Sequence, residues 1–245
     1  MNLVQKPVED FESATSAELT DEQLVARVAG ELSNLDRTQL ALIQRYMAAM
    51  QRPVEVHANP DSDLANPLFI AAVGHYLTLH HATQTAALNK KAFEFLFQYA
   101  CDAAGRHAVI NRNSTDASAD VLVDGVGFSL KTQSDKAVRR HNVYIQKFME
   151  GRFIRDIQSP HEFRTIGIRH ILNHVSRYSR ILVLKAYPLV GTSITYELVE
   201  IATSVFDLLK QLKDEDFPSK NAYGTISVAI KDEHGQAFRL CFDGC

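Results

Sequence analysis

The sequence has few cysteines and no long apolar run. Its three cysteines, Cys101, Cys241 and Cys245, are an odd number without close spacing, which argues against a disulfide framework and a thiolate zinc site. No apolar run reaches the roughly 18 residues that a membrane-spanning helix needs. The segment from Met1 to Glu18 lacks the basic-then-apolar pattern of a signal peptide. We therefore expect a cytoplasmic protein in a reducing compartment, with no membrane partner.

The chain also lacks the short motifs of several enzyme classes. It has no glycine-rich phosphate loop, no strand-to-helix serine nucleophile and no internal repeat. A net charge of −3 does not by itself indicate a nucleic-acid partner. Between Lys131 and Arg180, however, basic residues outnumber acidic ones, while the acidic balance lies at both ends. A concentrated basic face favours a polyanion; the alternative is a set of ordinary solvated helix faces.

Periodicity predicts helices first and a mixed β core afterwards. The capping-box pattern from Thr20 to Gln23 predicts a helix start. Predicted helices follow over 35–51, 66–83, 90–104, 136–150, 161–177 and 205–212. Predicted strands cover 108–111, 120–123, 126–132, 181–187, 194–201, 225–230 and 238–242. The near-continuous apolar run in 181–187 is typical of a central strand.

This order predicts an α/β or α+β fold, with a mixed β-sheet flanked by helices. We expect residues 1–85 to form an N-terminal helical portion packed on an α/β core over residues 86–245. The boundary near residue 85 leaves one continuous domain open as the alternative.

The most informative stretch, 120–131, reads as a β-hairpin. Asp124-Gly125 tolerates positive φ at both central positions of a two-residue turn. The register then pairs Val123 with Val126, Val121 with Phe128 and Asp120 with Ser129. The apolar face takes Val121, Val123, Val126, Phe128 and Leu130. Asp120, Ser129 and Lys131 share the other face, with directly opposed Cβ atoms ~5 Å apart. Such a site suits a divalent cation and a phosphate; the alternative is a surface Asp–Lys pair.

A second acid stands on the helix predicted over 90–104. Phe93, Leu96, Phe97 and Ala100 form its apolar stripe, and Glu94 lies among them. A carboxylate near an apolar face needs a metal or a cation as a partner. The alternative is that Glu94 lies at the edge of the stripe, as most helical glutamates do.

The chain has a helix with an inward Glu, then an Asp on a hairpin strand, and then Ser129-x-Lys131 on the next strand. This order of motifs resembles the PD-(D/E)XK nuclease superfamily. Within it, residues 88–202 look like a type II restriction endonuclease. The resemblance implies that Asp120 binds Mg²⁺, that Lys131 serves the attacking water, and that Glu94 supports the metal site. It also implies Ser129 within the catalytic site.

Two departures from the family pattern affect this assignment. Ala119 stands where the motif often has proline. Ser129 occupies the position of the second acid, so another carboxylate must complete the metal site. Glu94 and Glu150 are the candidates, and we favour Glu94 because its helix has to pack on the hairpin to bury its phenylalanines.

The resemblance predicts a Mg²⁺-dependent endonuclease that cuts double-stranded DNA at a specific short site, as a homodimer in which two-fold symmetry mirrors a palindromic sequence. Polar and basic side chains that follow the hairpin are expected to contact the DNA. They are Gln133, Arg139, Arg140, His141, Asn142 and Lys147. The alternatives are a catalytically inactive DNA-binding relative and a repair or phage-defence nuclease of the same fold.

Overall fold

The computed structural model describes residues 19–111, 119–134, 138, 142–145, 156–190, 193–217, 226–231 and 237–242. The chain divides into two compact units, Met1–Pro53 and Val54–Cys245. No helix in these described ranges combines the length and the apolar character that a membrane crossing needs.

The described part of the first unit contains two helices, α1 (Asp21–Leu32) and α2 (Arg37–Met50). Both begin with a capping box, in which a side chain at the N-cap and a glutamine three residues later satisfy each other's backbone N–H groups. The predicted helix start at Thr20 is confirmed. Neither helix buries a large apolar side chain; α2 buries only Ala49.

The second unit begins with α3 (Pro67–Thr83) and α4 (Lys90–Ala103), close to their predicted bounds. Asn66 and Asn89 are their N-caps, and each accepts a hydrogen bond from a backbone N–H of the first turn. The predicted apolar stripe of α4 is fully buried, and the rings of Phe97 and Phe128 lie 5.1 Å apart between centroids. This packing fixes α4 against the hairpin.

Eight strands are described: β1 (Ala108–Ile110), β2 (Val121–Val123), β3 (Val126–Gln133), β4 (Asn142–Ile145), β5 (Arg180–Val190), β6 (Ser193–Ile201), β7 (Ile226–Lys231) and β8 (Ala237–Phe242). Five of them form a mixed sheet in the order β1-β2-β3-β5-β6. Within this sheet, β3 and β5 pair in parallel and the other neighbours pair antiparallel. The strand predicted over 181–187 is thus paired on both sides, as its apolar sequence indicates.

The other three strands form a second sheet in the order β4-β8-β7. The helix predicted over 136–150 is therefore wrong at its centre, where β4 pairs in parallel with β8. In this segment the apolar Val143 and Ile145 alternate with Asn142 and Tyr144, which is the period of two of a strand. Val143 is buried. Strand pairing overrides the weak helical pattern.

The described residues 160–175, before β5, are helical as predicted for 161–177, but the helix is not regular. A short helix, α5 (Pro160–Glu162), leads through a π-helical stretch, Phe163–Gly167, into α6 (Ile168–Val175). The helix predicted over 205–212 is a 3₁₀-helix, Thr203–Gln211. A further 3₁₀-turn spans Asp214–Asp216.

The five-stranded sheet has a hydrophobic core on each face. Leu130 and Leu182 point to the core shared with α3 and α4. The neighbouring Ile181 and Val183 point to the core shared with α6, the long 3₁₀-helix and the second sheet. The predicted fold class, a mixed sheet flanked by helices together with an N-terminal helical portion, is confirmed.

Candidate active site

The turn of the hairpin has the backbone that its sequence predicts. Asp124 has φ of 50° and Gly125 has φ of 82°, and the predicted pairs Val123–Val126 and Val121–Phe128 are confirmed. The Asp124 carboxylate also accepts hydrogen bonds from the His107 backbone N–H and from Arg106 Nε, both at 2.9 Å. The turn is thereby fixed to the segment that enters β1.

Asp120 lies directly before β2, and both its backbone and its side chain are held. Its N–H donates to the Phe128 carbonyl at 2.8 Å, and its carbonyl accepts from the Asn111 N–H at 2.9 Å. Its Oδ2 accepts from the Leu130 N–H at 2.7 Å and from Ser129 Oγ at 3.3 Å. One carboxylate oxygen is thus bound to the hairpin, and Oδ1 points to a different set of partners.

The two faces of the hairpin separate as predicted. Val121, Val123, Phe128 and Leu130 are all buried in the core shared with α4, while Val126 beside the turn remains exposed. Ser129 is buried, and Lys131 is half-buried. Ser129 does not replace the missing acid; its hydroxyl helps to hold the Asp120 carboxylate.

Glu94 reaches the same place from α4. It is 8% exposed, so the sequence correctly marks it as an unusually buried acid. Lys91 Nζ donates to its Oε2 at 2.8 Å, and Lys90 Nζ lies 3.9 Å from its Oε1. The Lys90 ammonium also donates to Asp120 Oδ1 at 2.7 Å. Lys90 therefore lies between the carboxylates of Asp120 and Glu94.

In the described part of the chain, Lys131 shares the electrostatic environment of this group but forms no salt bridge. Within the described residues, the salt bridges of Asp120 and Glu94 go to Lys90 and Lys91. Burial lowers the pKa of Lys131 to about 8, and the positive charge of Lys90 acts in the same direction. The charges of Asp120 and Glu94 oppose this lowering of the pKa, which shows that all four side chains share one electrostatic environment.

Three further side chains lie at this site although no sequence motif points to them. Lys90 is one; its only signal is its spacing of four residues before Glu94 on the same helix. His174 of α6 is another, and burial lowers its pKa to about 4, with Lys131 contributing in the same direction. The third, Tyr178, is 5% exposed, and burial raises the pKa of its hydroxyl, while Ser129 opposes the rise.

The remaining predicted site residues are not brought to this cluster by the described part of the chain. Glu150, Arg139, Arg140, His141 and Lys147 lie outside the described residues. Asn142 begins β4 rather than lying on the helix predicted over 136–150, and its contact with DNA stays a prediction. Gln133, at the end of β3, is buried.

The cluster offers a divalent cation two carboxylates. Within the described ranges, no group of three or more His, Cys, Asp or Glu side chains is placed to hold a metal ion. Mg²⁺ does not need such a group, because it typically takes one or two carboxylates and keeps several waters. The position of the Lys90 ammonium shows that one cation can lie against Asp120 Oδ1 on the side where Glu94 Oε1 also lies. The donor set therefore fits Mg²⁺.

The sequence family of the chain identifies the class of enzyme to which this site belongs. Residues 28–244 match the family model of SmaI, type II site-specific deoxyribonuclease. Because the match covers most of the chain, the chain belongs to this family and is an endodeoxyribonuclease. The chain is 25% identical over 198 residues to the type II restriction enzyme SmaI of Serratia marcescens, covering 78% of this chain and 75% of that protein. No solved structure matches the chain.

Proposed function

We propose that this chain is a Mg²⁺-dependent restriction endonuclease that cuts double-stranded DNA at one specific short site, with an active site of the PD-(D/E)XK type. One observation carries the proposal: Asp120 and Glu94, from different elements, share the Lys90 ammonium, and the charges of both act on Lys131. Family membership supports hydrolysis of DNA, so the reading as an inactive DNA-binding relative is not favoured.

In this proposal the carboxylates of Asp120 and Glu94 hold the metal. The Leu130 N–H and the Ser129 hydroxyl keep Asp120 Oδ2 in place, which leaves Oδ1 for the cation. When bound, Mg²⁺ supplies charge stabilisation at the scissile phosphate and lowers the pKa of a coordinated water.

Lys131 acts on the attacking water and the phosphate. Its ammonium donates hydrogen bonds to oxygens that gain negative charge as water attacks phosphorus and the P–O ester bond breaks. A pKa of about 8 also lets this side chain exchange a proton near neutral pH. A half-buried lysine with no salt bridge in the described residues is available for this role.

The described part of each chain offers one such cluster, and cutting both strands in one binding event requires two. We therefore propose a homodimer whose two-fold axis matches the symmetry of the DNA site. The proposed DNA contacts remain Gln133, Arg139, Arg140, His141, Asn142 and Lys147. Analytical ultracentrifugation should give twice the chain mass; a monomer that still makes double-strand cuts in one step would contradict this.

Plasmid cleavage tests the catalytic assignment. Asp120→Asn and Lys131→Met should each lower the cleavage rate by at least about a hundredfold in Mg²⁺, the loss typical of removing one preorganised charge. The exposed Lys210→Met is the matched control, and it should cut like wild type. Ca²⁺ in place of Mg²⁺ in a gel-shift assay shows whether the variants still bind DNA.

The cleavage rates and the DNA binding together distinguish a nuclease from a DNA-binding protein. Slow cleavage with intact DNA binding in Asp120→Asn and Lys131→Met supports their assignment to the active site. Wild-type rates in Asp120→Asn or Lys131→Met would place the chemistry elsewhere. A wild-type protein that shifts DNA but never cuts it with Mg²⁺ or Mn²⁺ would instead identify a binding protein.

A further inference from the structure

We propose that Lys90 is an internal counter-ion of the metal site, which a divalent cation must displace before it can bind Asp120 and Glu94. This inference rests on the proposed function, because it assigns the metal to these two carboxylates. Lys90 is a positioning residue in this scheme, since it acts through the two carboxylates.

The geometry around Lys90 supports this role. Its Nζ lies 2.7 Å from Asp120 Oδ1 and 3.9 Å from Glu94 Oε1, so one ammonium neutralises acids from two different elements. The side chains of Glu94 and Asp120 are only 10% and 19% exposed. Two largely buried carboxylates repel each other unless a cation lies between them. Lys90 supplies that cation from within the chain.

Among the lysines that the structure describes, only Lys90 lies between the two carboxylates. Lys91 pairs with Glu94 Oε2 from the other side, at 2.8 Å, and its side chain is 60% exposed. The carboxylates of Asp120 and Glu94 form no salt bridge with Lys131 in the described structure. The Lys90 side chain also has solvent to turn into, because it is 45% exposed and extends from the first residue of α4.

Competition follows from this arrangement. The Lys90 ammonium and a divalent cation require the same oxygen, Asp120 Oδ1. Metal binding therefore has to break the ion pair, and the free protein is stabilised by Lys90 only as long as no metal is bound. Removal of the Lys90 charge should make the metal site tighter, although a lysine next to a catalytic cluster is ordinarily expected to assist activity.

Metal affinity without DNA tests the inference directly. Isothermal titration of the full-length protein with MnCl₂ should give a dissociation constant about fivefold lower for Lys90→Gln than for wild type, the scale of a partly exposed ion pair. Lys91→Gln is the matched control: it removes the same charge one residue away and contacts Glu94 alone. The change in dissociation constant that Lys91→Gln causes should be less than about half the change that Lys90→Gln causes.

Thermal unfolding gives a second readout. In EDTA, Lys90→Gln should melt below wild type, because its two carboxylates lose their counter-ion. In saturating Mn²⁺ the difference should disappear, because the metal replaces Lys90 in wild type and variant alike.

Failure of this inference differs from failure of the proposed function. Unchanged or weaker Mn²⁺ binding in Lys90→Gln, with Asp120→Asn binding no Mn²⁺, would overturn the counter-ion role and keep the metal site. Equal Mn²⁺ binding by wild type, Asp120→Asn and Lys90→Gln would overturn both. A shift equal in Lys90→Gln and Lys91→Gln would reduce the effect to net charge and would also overturn the inference.

Discussion

Lys131 stands in an environment that is unfavourable for its own charge. Burial and the neighbouring Lys90 ammonium lower its pKa from an ordinary 10.5 to about 8. The folded chain therefore binds the Lys131 proton less tightly than the unfolded chain does. By linkage, this costs the folded state about 2 kcal/mol at pH 7, after allowance for the partial exposure of the side chain. Functional sites commonly retain such unfavourable groups.

We expect Lys131→Met to stabilise the metal-free protein while it removes cleavage. The gain in the free energy of unfolding should be about 2 kcal/mol at pH 7, because methionine occupies the half-buried site without a charge. Between pH 8 and pH 10.5 the unfolded chain binds more protons at this residue, so wild type gains stability there. The advantage of the variant should therefore fall by about half at pH 9.5.

Urea unfolding in EDTA at both pH values measures the two differences. Lys210→Met is the control, since its ammonium is 59% exposed on the 3₁₀-helix. A Lys131→Met protein that is less stable than wild type at pH 7, or whose advantage grows with pH, would contradict the assignment of an electrostatic cost to Lys131.

The residues of the site are predictable to different degrees. Asp120 and Lys131 follow from the period of two in a strand, once the Asp124-Gly125 turn fixes the register. Glu94 follows from an acid between phenylalanines. The pairing of Lys90 with Asp120 does not follow from the sequence, because it depends on how α4 is rotated against the hairpin. The buried Tyr178 beside Ser129 likewise results from packing between α6 and the sheet.

At the scale of the elements, the hairpin depends on one glycine. Gly125 has φ of 82°, and a Cβ there would meet no atom within 4 Å, so the restriction comes from the backbone alone. We expect Gly125→Ala to destabilise the hairpin by about 1 kcal/mol.

A Cβ at Gly30, inside α1, would also meet no atom within 4 Å, but the backbone there is ordinary helix. Gly30→Ala should therefore stabilise its helix by roughly 0.5–1 kcal/mol.

Hydrogen exchange resolved by peptide measures both effects, because it reports the local free energy of opening. Faster exchange in the 120–131 peptides of Gly125→Ala, together with slower exchange in the α1 peptides of Gly30→Ala, is the expected result. Unchanged exchange at the hairpin in Gly125→Ala would show that the turn does not limit its stability.

The elements that the sequence predicts well are those with local signals. N-caps at Thr20, Asn66 and Asn89 mark helix starts, and the apolar stripe of α4 identifies its buried face. The sequence wrongly predicts a helix at β4 because the strand pattern is short and its partner, β8, lies far along the chain. The π-helical stretch in 163–167 is not predictable, because the sequence pattern there does not distinguish it from an α-helix.

At the scale of the whole molecule, the hydrophobic cores that the structure describes lie within the second unit. Among the described residues, the two clusters on the faces of the five-stranded sheet begin at Leu64. α1 and α2 expose apolar side chains such as Val25 and Met47, which are 68% and 55% exposed. The described residues 19–53 therefore bury little apolar area in α1 and α2, and such burial is the main stabilising term in folding.

Two truncations test where the independently folding part begins. The sequence predicts a boundary near residue 85, whereas the compact units divide at Pro53. We expect a chain of residues 54–245 to unfold cooperatively with a Tm within about 4 °C of the intact protein, a difference that corresponds to roughly 1 kcal/mol at this size.

A chain of residues 86–245 also loses Leu64, Phe69 and Ala72, and with them the edge contact of Phe69 on Phe97, whose ring centroids lie 6.1 Å apart. Losing three core side chains exceeds the usual margin of stability, so this shorter chain should not fold. Cooperative unfolding of residues 86–245 would instead support the boundary near residue 85 and would show that α3 is not required for the core.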